Sequence, residues 1–345
     1  MDHEFYMKRC LDLAQLGLGN VAPNPMVGCV IVFEGKIIGE GYHRKFGEHH
    51  AEVNAIQSVK DKSLLNKSTL YVNLEPCVHF GKTPPCADLI TEHNIPHVII
   101  GAIDDHDVVA GKGFERLKKQ GVLVEVDILK KECRALNKRF YKAHNEKRPY
   151  IFLKWAETED GFISKIKKAN EPITDNWITG DASKLLVHQM RASEQAILIG
   201  KNTAIADNPS LTTRLVVGNS PLRIVLCNSI EGLENKNILS DDYPTLIFNT
   251  EITTIQKNKE FIKFDGSLEA LLKIIASKDI QSVIIEGGSN VLNQFIENDL
   301  WDEAFQLIGN KKFESGILAP KLTEYKTKKT FKSGKDVVNH YFRCI

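Results

Sequence analysis

The chain has 345 residues, 26% of them charged and 42% hydrophobic, and its 45 lysines and arginines against 44 acidic residues give a formal net charge of +1. That length exceeds one ordinary core and predicts two domains, while the balanced charge argues against a nucleic-acid or other polyanionic partner and points to a small substrate. Seven cysteines at irregular spacing do not make a disulfide framework, the N-terminus has no apolar leader and no apolar run is long enough to span a bilayer, so a cytoplasmic protein without membrane association is expected.

Strand-like runs at residues 27–33 and Lys36–Tyr42 come first, and His50 then precedes a periodic run, 51–59, that predicts a helix. Thr69–Leu74 reads as a buried strand ended by Glu75-Pro76, which leaves Cys77 at its exit. Pro84-Pro85 then delivers Cys86 to the start of a helix predicted over 87–93. Further strands at His97–Ala102 and 123–128 alternate with helical patterns, which is the signature of a layered α/β domain. Residues 130–144 read as one amphipathic helix with a basic, solvated outer face, and 145–149 break it. The domain boundary is placed there, giving domains 1–146 and 147–345. A second α/β pattern begins at 150–155 and contains two strand–glycine–helix junctions: Ala196–Gly200 leading to Thr203, and 282–289 leading into a helix over 290–297. Such junctions suit phosphate, because glycine lets a ligand approach the backbone and a helix start offers free N–H groups. Gly287-Gly288 alone is a weak signal, more often a tight turn, and no G-x-G-x-x-G follows any predicted strand.

The most specific chemistry lies in the first domain. His50, Cys77 and Cys86 are three soft ligands of the kind that hold a catalytic zinc with its fourth position open to water. Glu52, two residues past His50, is then a non-ligand carboxylate able to move protons between that water and a leaving amine, as in zinc nucleobase deaminases. A free cysteine is more often a small buried hydrophobe; it is the combination that points to metal. The two cysteines stand nine positions apart rather than the usual three, and His79 offers itself as a fourth ligand, so a purely structural zinc stays open as an alternative.

The segments Pro23-Asn24-Pro25-Met26-Val27-Gly28, His50-Ala51-Glu52 and 75–86, with its ending Gly81-Lys82-Thr83-Pro84-Pro85-Cys86, resemble the deaminase half of the bifunctional riboflavin-biosynthesis deaminase-reductases. The second part is similar to their reductase half through residues 148–155, Asp160-Gly161, Trp177-Ile178-Thr179-Gly180, Arg191-Ala192, Gly200, Thr203, Ala206-Asp207-Asn208-Pro209, Leu211-Thr212, Arg214 and Glu286-Gly287-Gly288. The resemblance implies an N-terminal cytidine-deaminase-like three-layer α/β/α domain followed by a C-terminal dihydrofolate-reductase-like α/β domain, with Zn2+ and NADPH as cofactors. It implies two steps on one phosphoribosyl pyrimidine: a diaminopyrimidinone loses its ring amine as ammonia, and NADPH then reduces the ribosyl group to ribityl. Carried over by position, Asn24, His79, Lys82 and Asp104 line the deaminase pocket. The cofactor contacts fall on Ala156, Trp177, Thr203, Asp207, Gly287, Gly288 and Ser289, and the reductase substrate contacts on Lys154, Asp175, Arg191, Leu211, Arg214 and Glu286. Arginines are apt there because they grip phosphate with paired hydrogen bonds; Asp207 or a water would supply the proton that completes reduction. A homo-oligomer is also expected.

The chain departs from the family pattern at several points. Asp175 stands where a small hydroxyl residue is common, Glu157 and Glu159 replace small or apolar residues, Asp104-Asp105-His106-Asp107 lacks the usual prolines, and 307–316 replace a familiar Pro-Lys-Leu-Leu-Gly pattern. Three other readings remain: a nucleic-acid base deaminase of the tRNA-adenosine type with an appended binding domain, a deaminase with a degenerate reductase half, and a non-catalytic structural-zinc module. The first of these calls for a basic stripe interleaved with aromatics, which the sequence lacks.

Overall fold

Strands Gly28–Phe33 (β1), Thr69–Leu74 (β3) and His97–Ala102 (β4) are buried on both faces, so each must be covered twice. With Lys36–Tyr42 (β2) and Leu123–Glu125 (β5) they form a five-stranded sheet in the order β2-β1-β3-β4-β5, antiparallel across β2, β1 and β3 and parallel from β3 to β5. Helices His3–Gln15 (α1) and Lys130–Leu136 (α5) pack on one face, where Met7, Cys10, Val30, Tyr71 and Ile99 meet. Ala51–Ser58 (α2), Cys86–Glu92 (α3) and Lys112–Lys119 (α4) cover the other through Cys29, Ile31, Ala55, Ile90 and Leu117. This is the expected three-layer α/β/α arrangement. The computed structural model describes residues 2–78, 84–103, 111–166 and 176–343, and the chain divides into units Met1–Lys147 and Arg148–Ile345.

Two sequence expectations change in this unit. The helix predicted over 130–144 is two, α5 and Lys138–Glu146 (α6), because Asn137 leaves helical geometry and turns its amide onto Met26. Asn137 Oδ1 accepts the Met26 N–H at 2.8 Å and Asn137 Nδ2 donates to the Met26 carbonyl at 2.9 Å, so a buried side chain replaces a strand partner. The strand predicted over 123–128 stops at Glu125, where its pairing with β4 ends and Asp127 adopts positive φ.

The second unit is a ten-stranded sheet. Tyr150–Glu157 (β6) is followed by Phe162–Ser164 (β7), helix Asp181–Ser193 (α7), Ala196–Gly200 (β8), Lys201–Asp207 (α8), Leu222–Leu226 (β9), Asn237–Ser240 (α9), Thr245–Asn249 (β10), Thr254–Gln256 (β11) and Lys259–Lys263 (β12). Then come Leu268–Ala276 (α10), Ser282–Ile285 (β13), Ser289–Glu297 (α11), Glu303–Ile308 (β14), Ile317–Leu318 (β15), Thr327–Ser333 (β16) and Asp336–Phe342 (β17). The order is β11-β12-β10-β9-β8-β13-β6-β14-β17-β16, parallel from β12 to β14, with β7 and β15 pairing separately. One apolar layer joins the sheet to α10 and α11 through Trp155, Ile285, Leu272 and Phe295. The opposite layer packs Ile197, Ile199, Val225 and Ile284 against Ala204 and Ile238 of α8 and α9. Adjacent parallel strands β8, β13 and β6 therefore bring their carboxyl ends to one side, where open α/β sheets bind ligands. Among the described residues, no helix is long and apolar enough to cross a membrane.

Candidate active sites

In the first unit, α2 lies so close on β2 that a side-chain carbon at Gly41 would stand 2.3 Å from the Ala55 nitrogen. That approach fixes the helix start. His50 is the N-cap, its ring makes no capping bond, and Glu52 on the first turn is buried at 3% exposure. The β3 exit carries Cys77, and α3 begins at Cys86, whose backbone N–H points at the Cys77 sulfur at 3.3 Å. His50 Nδ1 lies 3.6 Å from Cys77 Sγ and 3.3 Å from Cys86 Sγ.

A tetrahedral zinc with ordinary Zn–N and Zn–S bonds separates its nitrogen and sulfur ligands by about 3.6 Å. The three donors therefore already stand at ligand spacing, and among the described residues no fourth His, Cys, Asp or Glu joins them. His79, the alternative fourth ligand, lies outside the described residues, as do Lys82, Asp104 and Asp175. The electrostatics favour a cation. The Cys86 thiol hydrogen-bonds the Cys77 sulfur and, against burial and with help from His50, pulls Cys77 down to about 4. Cys77 in turn raises His50 to about 9, while its hydrogen bond and burial push Cys86 well up. Burial lifts Glu52 above the usual carboxylate range, the setting of a group that both takes and returns a proton.

Asn24 joins this cluster through a residue that the sequence reading missed. Asn24 Nδ2 meets His43 Nε2 at 3.1 Å, and the His43 ring packs edge-on 5.5 Å from the His50 ring. His43 Nδ1 contacts the His49 carbonyl at 3.0 Å, so the ring is a neutral Nδ1–H tautomer whose Nε2 accepts from Asn24, and burial lowers its pKa. The only sequence signal for His43 is its place at the exit of β2.

In the second unit, register pairs Ile285 with Leu153, so Glu286 emerges beside Lys154. Arg191 of α7 donates to Glu286 through Nη2 at 2.7 Å and Nε at 3.2 Å, and Lys154 Nζ lies 3.7 Å from the same carboxylate. All three side chains are 15% exposed or less. Burial raises Glu286, but Arg191 and Lys154 outweigh it and hold the carboxyl at about 2; Lys154 is lowered, chiefly by burial. Arg191 Nη1 also donates to the Thr212 carbonyl at 3.4 Å, and Arg214 Nη1 to Thr212 Oγ1 at 3.4 Å, so Arg214 joins the group. The buried Leu211 holds positive φ in the same loop. Among the described residues, Lys154, Arg191 and Glu286 thus form one buried charged cluster that Arg214 meets through Thr212, with the buried Leu211 next to Thr212 in the chain.

A second cluster forms where α8 and α11 begin. A side-chain carbon at Gly288 would stand 3.1 Å from Thr203 Oγ1, and one at Gly287 would stand 2.8 Å from Val291 Cβ. Gly288 caps α11 without a side-chain bond, and Ser289 Oγ donates to the Leu318 carbonyl. Bare backbone at an uncapped helix start, next to a hydroxyl, fits a phosphorylated cofactor. Ala156 lies two residues beyond Lys154 on the same face of β6, and Asp207 ends α8. Trp177 is half exposed, with Lys184 Nζ 4.6 Å above its ring.

The unusual glutamates face elsewhere. Side chains alternate along β6, so Glu157 shares the Trp155 face rather than the Lys154 face. There it accepts from Trp155 Nε1 at 2.7 Å and Gln306 Nε2 at 2.9 Å. Glu159 pairs with Lys312 at 3.6 Å in solvent.

Two family models match the chain: the cytidine and deoxycytidylate deaminase zinc-binding region over residues 1–102, and the RibD C-terminal domain over residues 149–313. The riboflavin biosynthesis protein RibD of Aquifex aeolicus is 37% identical over 320 residues, 90% of this chain and 88% of its own length. That of Bacillus amyloliquefaciens is 38% identical over 359 residues, 99% and 92% of the two chains. Among solved structures, a diaminohydroxyphosphoribosylaminopyrimidine deaminase/5-amino-6-(5-phosphoribosylamino)uracil reductase from Thermotoga maritima superposes with a TM-score of 0.88 at 35% identity, covering 99% of each chain.

Proposed function

The chain belongs to the RibD family of bifunctional riboflavin-biosynthesis enzymes, and from that premise we propose how its own residues divide the two reactions. The protein is a deaminase and an NADPH-dependent reductase acting on a small phosphoribosyl pyrimidine. His50, Cys77 and Cys86 would hold the zinc, which supplies an acidified water in its open position. Glu52 then holds a proton on its carboxylate and returns it to the departing ring amine, while Asn24, aimed by neutral His43, hydrogen-bonds the pyrimidine. The observation that carries this reading is the 3.3 and 3.6 Å approach of His50 Nδ1 to both sulfurs beside the buried Glu52.

In the second unit, Thr203 and the Gly287-Gly288-Ser289 start of α11 would hold the phosphates of NADPH, Ala156, Trp177 and Asp207 would complete its contacts, and the cofactor would supply the hydride. Lys154, Arg191, Leu211 and Arg214 bind the phosphoribosyl substrate, and Glu286 keeps the buried cations in place. Lys154, whose ammonium is weakened by burial, is better set than Asp207 to give the final proton.

A coupled assay on the full chain tests the reading. With the diaminopyrimidine phosphate alone, ammonia is released; with NADPH added, oxidation of the cofactor follows. Ammonia without NADPH oxidation would leave a deaminase with a degenerate reductase half, and neither, despite bound metal, would leave a structural zinc module. Light scattering of the same preparation tests the expected homo-oligomer.

A further inference from the structure

Helix α7 carries a histidine to which the two reactions assign no role. His188 is 5% exposed and stands one turn before Arg191. Its Nδ1 accepts the backbone N–H of Arg214 at 2.9 Å and approaches that of Leu215 at 3.4 Å. Both partners are obligate donors, so Nδ1 carries no proton and the neutral ring holds its proton on Nε2. One helical turn on, Arg191 takes the Thr212 carbonyl at 3.4 Å. Two neighbouring side chains on one helix face therefore hold the same loop at backbone groups two residues apart.

Further bonds lie within the loop. Ser220 Oγ accepts the Thr213 N–H at 3.0 Å and the Thr213 hydroxyl donates to the Asn219 carbonyl at 3.0 Å. At its tip, Leu215 and Val217 are exposed. His188 thus supplies a buried side-chain acceptor to the backbone of Arg214. The charged groups facing the ring are Arg191 on its own helix, Arg214 on the loop and Lys154 on β6, against Glu286 after β13. Burial first, then these cations, lower the pKa of His188. A proton on Nδ1 would turn the acceptor into a donor facing two N–H groups.

We propose that His188 is a positioning residue of the reductase: its unprotonated Nδ1 fixes the backbone from which Arg214 reaches the anionic group of the substrate, and protonation releases that grip. This rests on the assignment of Arg214 to the substrate. The test follows NADPH oxidation by the full-length, zinc-loaded protein with 5-amino-6-(5-phosphoribosylamino)uracil between about pH 5 and pH 8. His188→Asn puts an acceptor that does not titrate in place of Nδ1, whereas His188→Leu removes it. His188→Leu raises KM for the pyrimidine about tenfold, the effect of leaving a buried N–H unpaired, with KM for NADPH unchanged. His188→Asn keeps KM near wild type at neutral pH. The substrate phosphate titrates near pH 6 in every variant and cancels in a ratio. The wild-type to His188→Asn ratio of KM therefore rises as the solution is acidified.

A flat ratio overturns the proposal. So does His188→Leu with wild-type KM, or with a lowered kcat alone, which marks a merely structural role. In an Arg214→Ala background, His188→Leu adds nothing further to KM; full additivity is also fatal. If Arg214→Ala itself leaves KM unchanged, the substrate assignment falls and the proposal with it, whereas a raised KM there with an unaffected His188→Leu overturns the proposal alone. Should His188→Leu fail to fold, the His188→Asn ratio still decides.

Discussion

Replacing Glu286 with glutamine leaves Lys154 and Arg191 facing one another in a pocket where their side chains are only 15% and 12% exposed. The magnitude follows from the native carboxylate. Its pKa is held at about 2 against an ordinary 4.5, a difference of roughly 2.5 units that corresponds to about 3 kcal/mol of folding stability at neutral pH. The sign is that of a depressed acid: the stability is fully present above pH 4.5 and is lost as the pH falls toward 2, because only the unfolded chain takes up the proton in that window. Glu286→Gln should therefore lower the stability of the second unit by about 3 kcal/mol at pH 7, in the range for breaking a buried ion pair. The deficit should shrink by about 1 kcal/mol between pH 6 and pH 4. All three tryptophans, Trp155, Trp177 and Trp301, belong to this unit, so urea unfolding followed by tryptophan fluorescence reads it separately from the deaminase unit. A deficit below about 1 kcal/mol, or one independent of pH over that interval, would refute the reasoning.

Glu52→Gln should lower kcat for ammonia release by about 100-fold or more while metal analysis still finds zinc; retained deamination would sink the proton-transfer role. Cys86→Ala should lose both zinc and ammonia release yet still oxidise NADPH when given the deaminated pyrimidine, and unchanged zinc content would exclude Cys86 as a ligand. Dialysis against a chelator should divide the activities the same way, and simultaneous loss of both would show that metal supports more than the first reaction. Gly288→Val should raise KM for NADPH, because a branched side chain would crowd Thr203 Oγ1, 3.1 Å from the first added carbon; an unaltered KM would remove the cofactor from the start of α11.

The His50, Cys77 and Cys86 cluster was legible because each residue stands at an element boundary marked by its neighbours: proline after a strand for Cys77, proline before a helix for Cys86, a periodic run after His50. His43 and His188 were not, since each acts on a group that only folding brings near, Asn24 from across the β1–β2 hairpin and Arg214 from across β8 and α8. The break at Asn137 was hidden for the same reason. Its flanks are sound helix formers, and the competing bond is to Met26, 111 residues earlier. Strand 123–128 was overextended because apolar alternation continues beyond the point at which pairing with β4 stops.

The alternating faces of β6 have a bearing on which parts of this enzyme are free to vary. Lys154 reaches the Glu286 carboxylate and Ala156 packs against Val187, Leu307 and Val338, while Trp155 and Glu157 look into a network that runs through Gln306 to Asn339 and Tyr341. The backbone between them acts as a partition: a charge introduced at Trp155 would meet the Gln306 network, and one introduced at Lys154 would meet the Arg191–Glu286 pair. A carboxylate can therefore stand three residues from Lys154 and still be screened by the strand from the Lys154–Glu286 pair.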